Sequence, residues 1–404
     1  MSDPESTVSA VGSQKEWVRA PLRHFLTPNV DVVNVDPTQT YPTVGVLNRG
    51  RGLLYRDPIE GRATAYKTLN RIGPGVLVYS RLKAFEGAIT VTPNKLTESF
   101  ASQEFPTFTF KPEANPEFFR ILTTTQKMWS ALQSVSKGMG GRRERVKPAD
   151  FLNIAMEIPP LPAQERIVQV ISAVDEQIVA LKAEAECLLR VRNAALGDAF
   201  AHACEEWSSA TLSEVGTLSR GRRFVKSDYV PSGLGCIHYG QIYTDFGAST
   251  TRTVTYLPES FRGSMRLAKP GDVVIAGTSE NVEDVGKAVA WLGDEAVAVH
   301  DDCFIFRHDL DPKFVSYFFA SPLFQSSKRR FTSETKVVRL SSVNLNQITM
   351  PVPPREEQER ISGTADAIDA QIAALSAEAE RLRRTRVALL SGLLDRAIEI
   401  ESAE

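Results

Sequence analysis

One stretch of this 404-residue chain is written twice, and that duplication limits what the chain can fold into more than any other feature. Residues 154–203 and 348–397 align without a gap at an offset of 194. Pro159-Pro160 falls over Pro353-Pro354, and Gln164-Glu165-Arg166-Ile167 over Gln358-Glu359-Arg360-Ile361. Farther on, Asp175 lies over Asp369, Ala183-Glu184-Ala185-Glu186 over Ala377-Glu378-Ala379-Glu380, and Arg190 and Arg192 over Arg384 and Arg386. A different segment precedes each copy. The order is domain, repeat, domain, repeat.

Each copy reads as a long helix. The lead-ins Ile158-Pro159-Pro160-Leu161-Pro162 and Pro351-Val352-Pro353-Pro354 cannot be helix interior, because proline lacks the N–H donor and clashes with the preceding turn. Just beyond them, Glu165 in one copy and Glu356, Glu357 and Glu359 in the other suit the positive end of a helix dipole. Apolar residues then recur in alternating steps of four and three: Ile167, Ile171, Val174, Ile178, Leu181, Ala185, Leu188, and again Ile361, Ala365, Ile368, Ile372, Leu375, Ala379, Leu382. That spacing is the seam of a coiled coil. Roughly 40 residues at ~1.5 Å each give a rod of ~60 Å, and one apolar stripe on such a rod requires a partner along its length. The other copy is the nearest. Antiparallel pairing lets each domain reach a helix end without a long loop. Arg192 and Arg386, near the C-terminal ends of the seam, are expected where the rod meets a domain or a partner. The competing arrangement, two separate helices each covering its own sheet, suits helices nearer ~12 residues.

The fold class that follows is α+β: two mixed α/β domains joined and spaced by two long antiparallel helices that form a coiled coil, in pseudo-two-fold order. Expected boundaries are a disordered tail over 1–14, a first domain over 15–155, a central helix over 156–206, a second domain over 207–349 and a C-terminal helix over 350–404. Between Gly and Pro residues the domains carry short apolar runs that read as strands, among them Val44–Leu47, Gly52–Tyr55 and Pro74–Tyr79. Matching elements recur near the same offset. Pro270–Ile275 answers Pro74–Tyr79, and Phe304-Ile305-Phe306 answers Phe108-Thr109-Phe110. Asn115-Pro116 and Asp311-Pro312 each look like a cap followed by a first-turn proline.

Charge is distributed unevenly. Residues 15–155 hold 20 Lys and Arg against 12 Asp and Glu, whereas 156–206 hold 4 against 9. The second domain is nearly balanced, 16 against 15 over 207–349, and 350–404 are acidic again, 7 against 11. Positive charge confined to the domains suits a polyanion. No apolar run approaches the ~18 residues of a membrane span, and the polar N-terminus lacks the pattern of a signal peptide, so a cytoplasmic location is expected. The four cysteines form no CxxC pair, which argues against a disulfide framework or a zinc ribbon.

Catalytic patterns are hard to find. The glycines and lysine of 277–287 lie at the wrong interval for a phosphate-cradling loop, and no GxGxxG follows a strand. Asn115-Pro116-Glu117-Phe118 lacks the second proline of an aminomethyltransferase motif. Glu334-Thr335-Lys336 with Asp301 and Asp302 upstream has the form of a nuclease centre, but such tripeptides are common. His300, Asp301, Asp302, Cys303 and His308 could ligate a metal; a strand edge with Cys303 in the core is the simpler reading, and no metal site is expected. What remains are basic clusters: Lys137, Arg142, Arg143, Arg145 and Lys147 in the first domain, then Arg220, Arg222, Arg223 and Lys226, and Lys328, Arg329, Arg330, Lys336 and Arg339 in the second. With Arg81 and Lys83 after a strand, and Gly277-Thr278-Ser279 at the corresponding place, these are the DNA-binding candidates. Arginines on loops can follow phosphates and reach guanine edges.

Together, the duplicated 158–167 and 352–361 strings, each opening a long helix after a variable domain, the stretch Val78–Ala88, and 143–154 resemble the specificity subunits of type I restriction-modification systems. The resemblance covers about 17–397. It implies two target recognition domains reading the two halves of a bipartite double-stranded DNA sequence, with the helices as a ruler between them. It also implies two modification subunits that carry S-adenosylmethionine and methylate adenine, a restriction subunit that can join, and no catalysis or cofactor in this chain. The alternative is a helical scaffold that does not bind DNA.

Overall fold

The computed structural model describes residues 17–136, 145–332 and 337–398. It divides into two compact units that do not follow chain order: Met1–Ile178 with Arg381–Glu404, and Val179–Glu380. The division falls inside both long helices. The chain-order boundaries therefore separate each helix from surfaces on which it packs.

In the first unit, β1 (Val18–Pro21) pairs with β11 (Ala155–Ile158), closing the domain where the long helix begins. One sheet holds β2 (Leu26–Pro28) beside β10 (Thr107–Phe110), then β7 (Leu77–Tyr79) and β8 (Ile89–Val91). A second has the order β3 (Asp31–Asn34), β6 (Thr68–Ile72), β9 (Ser99–Ala101), β4 (Thr40–Val46), β5 (Leu53–Glu60). Three helices cover the first sheet's end: α1 (Pro116–Leu122), α2 (Gln126–Ser134) and α3 (Pro148–Leu152). As the sequence suggested, Asn115 caps α1, accepting from the N–H groups of Glu117 and Phe118 at 2.9 and 3.2 Å, with proline in the first turn.

The helix α4 runs over Leu161–Glu206 and draws Pro162 into its first turn, where the missing N–H costs nothing. The sequence reading had excluded that proline from the helix.

The second unit repeats the first sheet and its helices. Here β12 (Ser209–Thr211) and β24 (Thr349–Pro351) close the domain beside α5 (Leu212–Val215), as β1 and β11 do in the first unit. The sheet order β13 (Gly216–Arg220), β22 (Cys303–His308), β18 (Val273–Ala276), β20 (Ala288–Trp291), β15 (Ser249–Thr250) extends the β2–β10–β7–β8 pattern by one strand. Helices α7 (Pro312–Ala320), α8 (Pro322–Lys328) and α9 (Ser342–Asn346) correspond to α1, α2 and α3. Asp311 caps α7 at 2.7 Å from the Phe314 N–H. The second sheet differs: β16 (Thr255–Leu257), β14 (Leu234–Ile237), β21 (Val297–Val299), β17 (Leu267–Ala268), with α6 (Tyr239–Thr244) at its side. A short ribbon joins β19 (Thr278–Ser279) to β23 (Val338–Arg339). The C-terminal helix α10 spans Arg355–Leu394.

Within each unit, part of α4 and part of α10 run antiparallel on the domain. In the first unit, Ile167 and Ile171 share a core with Leu390, Leu393 and Leu394 and with Phe118 and Phe119 of α1. In the second, Leu196 and Phe200 pack with Ile361, Ala365, Phe314 and Phe318. Of the seam residues, Ile167, Ile171, Ile178, Leu181 and Ile361 are buried, and Val174, Leu188, Ile368, Ile372, Leu375 and Leu382 are half-buried. Arg192 lies where the rod meets the second unit's domain, since its partner Asp369 also accepts from the Tyr317 hydroxyl of α7 at 2.8 Å. Arg386 grips Asp175 at 2.5 and 2.9 Å in the first unit, and Arg192 reaches Asp369 at 2.6 Å in the second. Because 192 and 386 are one repeat position and 175 and 369 another, the two pairs are the same contact with the copies exchanged.

The repeated glutamine has an equally definite task. Gln164, fully buried, accepts from the Asn115 N–H at 2.8 Å and donates to the carbonyls of Glu113 and Pro159, both at 2.9 Å. Gln358 accepts from the Asp311 N–H and donates to the Pro353 carbonyl, both at 2.8 Å. One side chain thus ties the helix start, the proline lead-in and the cap of the domain's first helix together. Its burial without these partners would cost on the order of 1–3 kcal/mol.

Candidate nucleic-acid interface

The same backbone node recurs at the tip of the first sheet in both units. In the first, the chain leaves β7 into Ser80–Lys83. The Arg81 N–H donates to the Glu104 carbonyl at 2.9 Å, and the Arg81 carbonyl accepts from Val146 at 3.0 Å. The buried Tyr79 hydroxyl donates to the Val146 carbonyl at 3.1 Å and holds the basic segment in place; burial pushes its ionisation well up. In the second unit, the Gly277 N–H donates to the Asp302 carbonyl at 2.8 Å and its carbonyl accepts from Leu340 at 2.9 Å.

Side chains differ on this shared frame. In the first unit, Glu104 lies 3.9 Å from the Arg81 guanidinium and 3.4 Å from that of Arg145, so two arginines far apart in sequence share one carboxylate and leave a net positive charge. Among the described residues, the buried Nε of the half-buried Arg81 side chain finds no acceptor. Lys83 is 3.8 Å from Glu86, and Lys147 is exposed at the start of α3. Lys137, Arg142 and Arg143 lie outside the described residues.

In the second unit, the Arg220 Nε donates to the Asp301 carbonyl at 2.5 Å, and the Arg222 N–H to Val299 at 2.8 Å. Gly221 between them leaves no room for a side chain, since a Cβ would stand 2.2 Å from the His300 carbonyl oxygen. Arg222, Arg223 and Lys226 are exposed beyond it. On the other side of Asp302, Thr278 lies opposite Arg339 in the β19–β23 ribbon and approaches the Asp302 carboxylate at 3.4 Å. Residues from two basic stretches, and from Gly277-Thr278-Ser279 between them, thus converge on the loop before β22.

His300, Asp301 and Asp302 place possible ligand atoms within 4.8 Å of one another. However, His300 Nδ1 accepts from the Asp302 N–H at 3.2 Å and its Nε2 faces the Phe224 carbonyl at 3.0 Å, so the imidazole is committed to holding this loop. Cys303 is buried beside it, as expected. Lys336, Glu334 and Thr335 lie outside the described residues.

One candidate is corrected. Lys328 belongs to a basic run in sequence but is buried, and its ammonium donates to the carbonyls of Glu283 and Val285 at 2.9 and 2.6 Å. Burial lowers its pKa to about 8. It pins a loop and offers no surface charge. Arg329 and Arg330 next to it are exposed; Arg330 stacks on Phe331 at 4.6 Å and donates to the Gln347 carbonyl at 3.2 Å.

Residues 63–187 and 204–384 match the family model of the type I restriction modification DNA specificity domain, about three quarters of the chain. The chain belongs to this family. Sequence-specific DNA recognition is the role that membership in the type I specificity family carries. Among its relatives, the specificity subunit of the MjaVIII type I restriction enzyme of Methanocaldococcus jannaschii is 24% identical over 298 residues, 68% of each chain. The EcoKI specificity subunit of Escherichia coli is 25% identical over 205 residues, 47% of this chain and 43% of that one, so the match spans under half of that relative. A solved chain from work on complex assembly and conformational transition of the type I R-M system covers 94% of this chain and 97% of its own, with TM-score 0.58 and 19% identity, which bears on the fold. No helix among the described residues is long and apolar enough to cross a membrane.

Proposed function

We propose that each unit of this type I specificity chain reads one half of a bipartite double-stranded DNA sequence, with the long helices setting the gap between the halves. The observation that carries this reading is the shared node with unlike contents: Arg81 where the other unit has Gly277, Glu104 where it has Asp302, and second sheets of different strand order. A common frame fixes how each unit addresses DNA, and different side chains on it favour different base sequences. The half-sites should therefore be unlike.

On this reading the chain binds and positions but catalyses nothing. Two modification subunits grip the repeated helices, carry the S-adenosylmethionine and methylate an adenine in each half-site; a restriction subunit joins where the host has one. The complex works in the cytoplasm. Sequencing of methylated bases in host DNA with and without this gene tests the reading. The expected result is loss of one split adenine motif with two different halves; retention of every motif, with the modification partner expressed, would overturn it.

A further inference from the structure

The basic stretches considered so far omit 49–71, which holds six Lys and Arg against two Asp and Glu. Strands β4 and β5 form a hairpin there at the edge of the five-stranded sheet, paired from Thr40↔Glu60 to Val46↔Leu53 with an irregularity near Tyr41, while β4 also pairs with β9 at Thr43↔Phe100. The outer strand β5 is the free edge of its sheet and exposed over most of its length, with Leu54 41% and Tyr55 62% accessible. Its exposed Arg56 and Pro58 would by themselves be explained as devices that keep a free edge from pairing with another chain. They do not explain the turn. Arg49 and Arg51 sit there on a tight bend with Arg49, Gly50 and Gly52 at positive φ, and a Cβ at Gly50 would come within 2.5 Å of the Thr123 carbonyl oxygen.

This turn is fastened to the strand-end loop of the candidate interface. The Gly50 N–H donates to the Gly87 carbonyl at 3.2 Å, and the Asn48 amide donates to the Glu86 carboxylate, which also lies 3.8 Å from Lys83. Among the described residues Arg49, Arg51 and Arg56 make no ion pair; Arg51 donates its Nε to the Asn48 carbonyl at 3.0 Å, Arg49 lies 5.8 Å over Trp129, and the Arg56 guanidinium lies along the outer face over Gly45. By contrast, Arg62 and Arg71 in the same stretch are held by Glu60, Asp31 and Glu98. Three guanidinium groups free of ion pairs among the described residues therefore line a hairpin whose turn is tied to the loop that carries Lys83. Among the described residues the second unit shows no counterpart, since no two neighbouring strands of its second sheet are consecutive in the chain.

We propose that the β4–β5 hairpin is a DNA-backbone contact of the first unit, with Arg49, Arg51 and Arg56 on phosphates of the half-site which that unit reads. Arginine suits this through its planar fork of donors, and the open edge strand and its turn leave these arginines accessible. The hairpin also accounts for the charge imbalance between the domains. Phosphate grip is concentrated in the first.

The inference rests on the DNA-recognition reading, and the test separates the two. The full chain, assembled with its modification subunits, is titrated with duplex carrying its methylated motif at 50–200 mM salt, as parent, R49Q/R51Q/R56Q, R51Q alone, and the control R62Q/R71Q. The triple variant should bind at least about tenfold more weakly near physiological salt, with a salt slope shallower by roughly two to three, since each phosphate contact contributes about 0.9. R51Q should lose about one unit of slope. The methylated motif should stay the same, and the control should bind within about twofold of the parent. Parental affinity and slope in the triple variant, or an equal loss in the control, overturns the hairpin assignment while leaving the DNA reading in place. A parent complex that fails to bind its own motif overturns both.

Discussion

His308, half-buried but with both ring nitrogens shielded from solvent, shows how a single side chain ties stability to pH. It ends β22, a strand of core phenylalanines, with its ring 5.1 Å from that of Phe306, and burial lowers its pKa to about 4, against an ordinary value near 6.5. Between those values the unfolded chain binds a proton at this position and the folded chain does not, so stability falls as pH drops from about 6.5 to 4 and is unaffected above. The full effect is on the order of 3 kcal/mol. Denaturation of the second unit's transition at pH 7 and pH 4.5 should show this slope in the parent and a flatter one in His308→Gln; equal slopes would mean that another group carries it. Sequence alone offered His308 only as a possible ligand. Lys328 was misread for a related reason: a run of Lys-Arg-Arg looks uniformly solvated, yet at the end of α8 one of three successive side chains points inward, and here it finds two carbonyls.

At the scale of elements, the long helices were the most legible part of the chain, because a four-three apolar spacing repeated at one offset has few other meanings. The exchanged ion pairs were written in the same repeat and were missed. Partners 177 and 211 residues apart leave no local signal, and antiparallel pairing alone does not fix the register that brings them together. With side chains of Arg192 and Asp369 19% and 27% exposed, this pair lies between a surface bridge and a buried one. A double-mutant cycle of Arg192→Ala and Asp369→Ala should give a coupling of about 1–2 kcal/mol; a value near zero would mean that the pair only fills space. Within the domains, the first sheet was foreshadowed by apolar runs such as Phe108–Phe110 and Phe304–Phe306 and by the Asx-Pro caps. Of the second sheets only β4 and β5 were, through the runs Val44–Leu47 and Gly52–Tyr55; the strands of two to four residues in the second unit carry too little apolar alternation to be seen.

For the whole molecule, the proposed reading gives recognition to the unlike loops on a common node and spacing to the repeated helices of 46 and 40 residues. One heptad inserted at equivalent positions of both helices, after Glu184 and after Glu378, adds ~10 Å of helix, or up to about three base pairs at ~3.4 Å each. The most direct measurement is the methylated motif of a host carrying that insertion in place of the parent gene. The account expects both half-sites to keep their sequences while the gap between them lengthens. An altered half-site, or an unchanged gap, would contradict it.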